Sequence, residues 1–179
     1  MKFTKIVFAL FIFSSLFLAS CDKEEDVNFD LKFENIAVTV PAMGGPFNEY
    51  KTFASEVITT GIEAELNKYG ASLNDIESAN LKDLTVNITA PSGRNFDAVL
   101  FLESFASATG LSDTKIGFTE GDLDGKTSVT FTTNFSDLAP FIKKESFGFL
   151  VRGYIDEAIA TPTTLDIDFI VTVKAKVKK

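Results

Sequence analysis

The sequence predicts a mainly β protein, an antiparallel β-sandwich of Greek-key, immunoglobulin-like type with one or two short helices; a closed β-barrel is the alternative. Three observations carry this. Apolar and polar residues alternate with period two in segment after segment, as half-buried strands require. Short clusters rich in Gly, Pro, Asn and Asp separate those segments. Few stretches have helical spacing, so two packed sheets are the economical way to cover the apolar faces.

Taken in chain order, "IAVTV" aligns Ile36, Val38 and Val40 as a first strand ending before Pro41. "VPAMGGPFNEYKTF" (Val40 to Phe53) then reads as a long irregular connection. Loops of this length either carry function or pack over an open end of the core. Met43, Phe47, Tyr50 and Phe53 make it a candidate binding loop. "SEVITTGIEAELNKYG" places Val57, Ile58, Ile62 and Leu66 near helical spacing, with Gly70 as cap. Ser72 caps a short turn over "LNDIESA". "LTVNIT" turns Leu84, Val86 and Ile88 inward before the Pro91-Ser92-Gly93 turn.

"FDAVLFLESF" is apolar on both faces through Val99, Leu100, Phe101 and Leu102, as a central strand would be. "TKIGFT" and "TSVTFTT" read as strands joined by turn chemistry at Asp124-Gly125. Ser136 opens a helical turn in "SDLAPFIKK", and "FGFLVRGYI" aligns Phe147, Phe149, Val151 and Ile155. The clearest strand is "LDIDFIVTVKAKV". Leu165, Ile167, Phe169, Val171, Val173, Ala175 and Val177 share one face, and only Ile170 interrupts the polar other face.

Composition excludes several chemistries. With no histidine and one cysteine, zinc sites, Ser-His-Asp triads, Cys-His nucleophiles and haem ligation are all missing their usual ligands. Tryptophan is absent and only Tyr50, Tyr69 and Tyr154 represent tyrosine, which weakens but does not abolish a sugar-stacking platform, since Phe also stacks. "TEGDLDGKTS" attracts two motif readings. As a calcium loop it offers Glu120, Asp122, Asp124 and Gly125, but Phe131 stands where the bidentate glutamate belongs. As a phosphate loop its spacing is one residue short and two aspartates oppose the ligand. Turn chemistry is the plainer reading, and no metal or cofactor is expected. Asp156-Glu157, beside Arg152 and Tyr154, is the nearest approach to a paired-carboxylate site.

The N-terminus is of another kind. Lys2 and Lys5 precede "IVFALFIFSSLFLA", an apolar run of 14 residues. A bilayer-spanning helix needs about 20, so this reads as a secretory signal, residues 1–20. "LASC", ending in Cys21, resembles the lipobox of bacterial lipoproteins. That resemblance implies cleavage before Cys21, acylation of its thiol, and a membrane partner through the lipid; two or more acyl chains anchor stably where one does not.

"CDKEED" is similar to the surface-export signal of Bacteroidota lipoproteins, which Lys23, Glu24 and Glu25 match. The resemblance implies the outer membrane and the cell surface. Asp22 resembles an inner-membrane retention signal of enterobacteria instead, and a periplasm-facing lipoprotein is the alternative. Residues 21–29 then form a lipidated tether and residues 30–179 a single domain. Losing the leader leaves 15 of the 17 basic residues against 25 acidic ones, a net charge of −10, which disfavours nucleic acid.

The function expected is a membrane-anchored, non-catalytic binding or envelope-assembly role with a protein or glycan partner. A carboxylate-based glycan hydrolase and a carrier of an apolar ligand are the alternatives.

Overall fold

A computed structural model describes residues 24–133 and 136–178. Nine strands form two antiparallel sheets: β1 (Glu24–Val40), β2 (Glu49–Thr59), β3 (Ile76–Ala90), β4 (Val99–Ser107), β5 (Thr114–Phe118), β6 (Ser128–Thr130), β7 (Thr132–Thr133), β8 (Ser146–Ile155) and β9 (Thr163–Lys178). The four-stranded sheet has the order β1-β9-β3-β6 and the five-stranded sheet the order β2-β8-β4-β5-β7. Neither closes on itself, so the fold is a sandwich and not a barrel. β1 and β2, then β8 and β9, fall in opposite sheets. This is a jelly-roll winding, the form of Greek key in which the chain repeatedly crosses the core, rather than the immunoglobulin order.

β9 explains why the core sits where it does. Its alternation is strict, with Leu165 through Val177 buried at every second position, and it pairs with β1 on one side and β3 on the other. Phe169 lies at the centre. Its ring stacks on Phe33 of β1 at 4.5 Å and on Phe149 of β8 at 4.9 Å, joining the two sheets through aromatic contact. The interior is filled. A remaining apolar cavity, about 20 Å³ between Val40, Phe53, Phe96 and Leu165, is about the size of a single water.

Four expectations are corrected. The strand beginning at Ile36 reaches back to Glu24, whose pairing with Lys178 draws residues 24–29 out of the expected tether. A bulge between Phe33 and Ile36 hides this continuity: Asn35 takes φ 59°, a conformation Asn tolerates, and its N–H donates to Asp168 at 2.8 Å.

The expected helix from Ser55 is shorter. Val57 and Ile58 belong to β2, and α1 covers only Ile62–Lys68. The β-branched run "VITT" favours extended backbone, and Gly61 at φ 60° separates strand from helix. Gly70 does follow the helix with a positive φ, and its N–H donates to the Asn67 carbonyl.

The segments around Asp124-Gly125 do not form a hairpin. β5 belongs to the five-stranded sheet and β6 pairs with β3 in the other, so this connection crosses the sandwich. Only the short β7 returns to β5. Gly125 has φ 71°, as turn chemistry requires.

The turn in "SDLAPFIKK" is a helix of four residues, α2 (Ala139–Ile142). Its first N–H, that of Ala139, is held by Asp137, not Ser136: Asp137 Oδ1 accepts from Ala139 and also from Ala79 of β3, both at 3.0 Å. Ser72 does act before a short turn, Leu73–Asp75, donating both its N–H and its hydroxyl to the Asp75 carboxylate at 2.7 Å. No helix among the described residues is long and apolar enough to cross a membrane.

Candidate functional site

Two of the four expected binding-loop residues, Tyr50 and Phe53, are not loop residues. Val40 ends β1, and the connection is only residues 41–48. Met43 is clamped to Ile159 by reciprocal N–H to carbonyl bonds of 2.9 Å, closing one end of the core. Phe47 lies exposed. Tyr50 and Phe53 are in β2 and point opposite ways. Phe53 is buried against Gly153, so closely that a Cβ at residue 153 would sit 2.2 Å from its ring. Packing in the sandwich end is therefore the role of Met43 and Phe53. Of the four, Tyr50 alone joins the surface described next.

Tyr50 stands on the solvent face of the five-stranded sheet, 48% exposed. Register places it beside Tyr154 of β8, which in turn faces Phe101 of β4. The three rings form a compact triangle. Phe101 and Tyr154 stack at 5.1 Å and 7°, while Tyr50 meets both edge-on at 5.8 and 5.2 Å. Two bulges build this cluster. In β4, an extra residue between Val99 and Phe101 turns both Leu100 and Phe101 outward; in β2, one between Thr52 and Ala54 turns both Phe53 and Ala54 inward.

The next register row supplies polar groups. Glu103 of β4 pairs with Arg152 of β8 on one side and Phe118 of β5 on the other. The Lys115 ammonium lies 3.0 Å from the Glu103 carboxylate, whose side chain is only 15% exposed, and 5.9 Å from the Phe118 ring. Arg152 turns over the Phe105 ring at 4.9 Å. The pKa of Tyr50 is raised, first by loss of hydration and then by the nearby Glu103 carboxylate.

Between Phe101 and Phe118 this row opens into a groove of about 410 Å³, with Leu100 at its rim and Glu103 and Lys115 in its lining. Open grooves of similar size occur beside α1, walled by residues 59–64 and 143–145, and on the other sheet's solvent face, walled by Glu34, Asp83 and Asp168. Neither combines aromatic rings with an ion pair.

The remaining sequence candidates are dispersed. Cys21 and Lys23 lie outside the described residues. Glu24 and Glu25 are exposed at the start of β1, with the Lys176 ammonium 3.9 Å from Glu24. Asp156 and Glu157 follow the end of β8 on a bend.

Asp97, Asp122, Asp124 and Asp156 approach one another closely enough that repulsion, chiefly from Asp122, raises the Asp124 carboxyl above its ordinary value. They occupy turns, with Asp97, Asp122 and Asp124 exposed, rather than facing walls of a cleft as glycoside hydrolysis requires. Among the described residues, no group of three or more Asp, Glu, His or Cys is arranged to hold a metal ion.

Sequence reading missed Phe101, Glu103, Lys115 and Phe118. The available signal was parity: Phe101, Glu103 and Phe105 alternate on one side of β4, as Leu150, Arg152 and Tyr154 do on β8.

No protein-family profile and no curated protein matches the chain. Among solved structures it is similar to a chain of the cryo-EM structure of the giant freshwater prawn Macrobrachium rosenbergii nodavirus semi-empty VLP, at 9% identity over 100% of this chain and 96% of that one, with a TM-score of 0.35. A likeness this remote carries no functional argument.

Proposed function

We propose that the protein is a lipid-anchored protein of the outer membrane, displayed on the cell surface, with a non-catalytic binding role for which the solvent face of the five-stranded sheet is the contact surface. The observation that carries the binding role is the outward-facing cluster of Tyr50, which is exposed, with the half-buried Phe101 and Tyr154, beside the Glu103–Lys115 pair. Aromatic rings left partly in water on three neighbouring strands, β2, β8 and β4, over a packed core are costly unless something covers them.

The anchor is argued from the sequence: Cys21 is the acylated residue, and Lys23, Glu24 and Glu25 are the export address. The length of β1 then sets where such an anchor would hold the domain. Two residues, Asp22 and Lys23, separate Cys21 from Glu24, at most about 10 Å of chain. β1 then runs 17 residues, about 50 Å, to the end of the sandwich where Tyr50 stands. An anchor at Cys21 leaves the aromatic cluster at the membrane-distal end.

Protease shaving of intact cells tests the address, and Cys21→Ser tests the anchor. The domain is expected to be cleaved on intact cells and to leave the membrane fraction when Cys21 is replaced. Survival of shaving followed by loss once the outer membrane is opened would assign the periplasm-facing alternative.

A further inference from the structure

We propose that the groove between Phe101 and Phe118 takes a neutral saccharide, with the Glu103–Lys115 pair reading its hydroxyl groups. The inference rests on the reading of this face as a binding surface and names its ligand class. Size comes first: at about 410 Å³ the groove is of small-ligand scale, whereas a protein partner needs about 800 Å² of surface on each side.

Its chemistry narrows the class further. Phe101, Phe118 and Leu100 supply apolar walls, but the lining holds a carboxylate and an ammonium 3.0 Å apart. An apolar ligand would strip water from both charges and return no hydrogen bond. An anion would meet Glu103 on a chain whose formal charge is −8, and a cation would meet Lys115 with Arg152 across the strand. A polyol without charge fits. Its hydroxyls both donate and accept, matching an acceptor carboxylate beside a donor ammonium, and its C–H faces suit the electron-rich faces of aromatic rings. The Tyr50–Tyr154–Phe101 cluster adjoins the groove and extends the apolar surface for a second sugar unit.

The test is binding of the processed, detergent-solubilised protein to neutral gluco-, manno- and xylo-oligosaccharides, with oligouronates and a fatty acid as comparators. At least one neutral oligosaccharide is expected to bind. Phe118→Ala and Glu103→Gln should each weaken it about tenfold or more, while Lys82→Ala on the other sheet leaves it unchanged.

Glu103→Gln keeps the side-chain shape, so it decides the matter even if Phe118→Ala disturbs folding. The proposal is overturned if no neutral oligosaccharide binds, if an oligouronate or the fatty acid is preferred, or if affinity survives Glu103→Gln. Capture of a cellular protein that Phe118→Ala abolishes, with no saccharide bound, would overturn the sugar assignment and leave the binding reading standing.

Discussion

The two solvent faces of the sandwich are built from the same strand geometry and are chemically opposite. On the four-stranded sheet, charges answer one another across strands. Lys174 bridges Asp26 and Glu77 at 3.1 and 2.9 Å, Lys176 reaches Glu77 at 2.9 Å, and Lys82 holds Asp30 at 2.7 Å. Thr172 donates to the same Asp30 at 2.7 Å, so that carboxyl lies below its ordinary range, first because of Lys82 and then Thr172. At these positions the face is satisfied by its own neighbours. On the five-stranded sheet, Tyr50, Phe101, Tyr154, Leu150 and Phe105 occupy the equivalent outward positions, with one ion pair among them. One face is held largely by ion pairs among its own residues, and the other has apolar surface left over. The proposed binding role rests on the second.

Both faces rest on one core, so removing its centre should erase the contrast. Phe169→Ala deletes the ring that joins the sheets and is expected to destabilise the protein by about 3–5 kcal/mol, measured by denaturant unfolding. A loss below 1 kcal/mol would mean the sheets are held by something else.

Gly153→Ala acts in the core directly beneath the aromatic face. Its Cβ would enter the Phe53 ring beneath β8, so the expected cost is about 1–3 kcal/mol from overpacking, with disturbance of the Tyr50–Tyr154 row directly above. Next in size, a double-mutant cycle of Phe101→Ala and Tyr154→Ala should return a coupling of about 0.5–1.5 kcal/mol for the stacked pair. No coupling would show that the rings merely adjoin.

The smallest effect belongs to the ion-paired face. Hydrogen bonds first from Lys174 and then from Lys176 hold the Glu77 carboxyl below its ordinary value of 4.5, so its contribution is present above that pH and is lost as pH falls through the lowered folded value. Lys174 and Lys176 are raised above 10.5, chiefly by hydrogen bonding to Glu77, so their contribution is complete below that pH and lost on going higher. The denaturant midpoint should therefore be flat between these limits and fall only slightly outside them, since exposed pairs contribute little. Lys174→Met should flatten both shoulders.

The contrast also marks what a sequence can and cannot display. β9 could be read residue by residue, because a strand with one buried face writes its register as a strict period of two, and even the exception, Ile170, is half-buried on the polar side. The aromatic face could not. "AVLFL" hides a bulge, and without knowing that Leu100 is the extra residue, Phe101 reads as core.

Its members also come from separate strands: Lys115 lies on β5, 12 residues after Glu103, while Tyr50 comes from β2 and only the sheet order brings it to Tyr154 and Phe101. Tyr50 was identifiable as a candidate because it stands beside Pro-Gly-rich chain. The same loop signal also selected Met43 and Phe53, whose apolar side chains close the sandwich end instead. Helical spacing in "SEVITTGIEAEL" misled for a related reason: β-branched residues at the close of a strand run directly into a short helix, and the two periods overlap.

The most direct test of the account is an NMR titration of the isotope-labelled protein with neutral oligosaccharides, following both faces at once. Shifts concentrated at Tyr50, Phe101, Glu103, Lys115 and Phe118, with Asp30, Lys82, Lys174 and Lys176 unmoved, are the predicted result. Shifts confined to the ion-paired face, or absent from both, would contradict it.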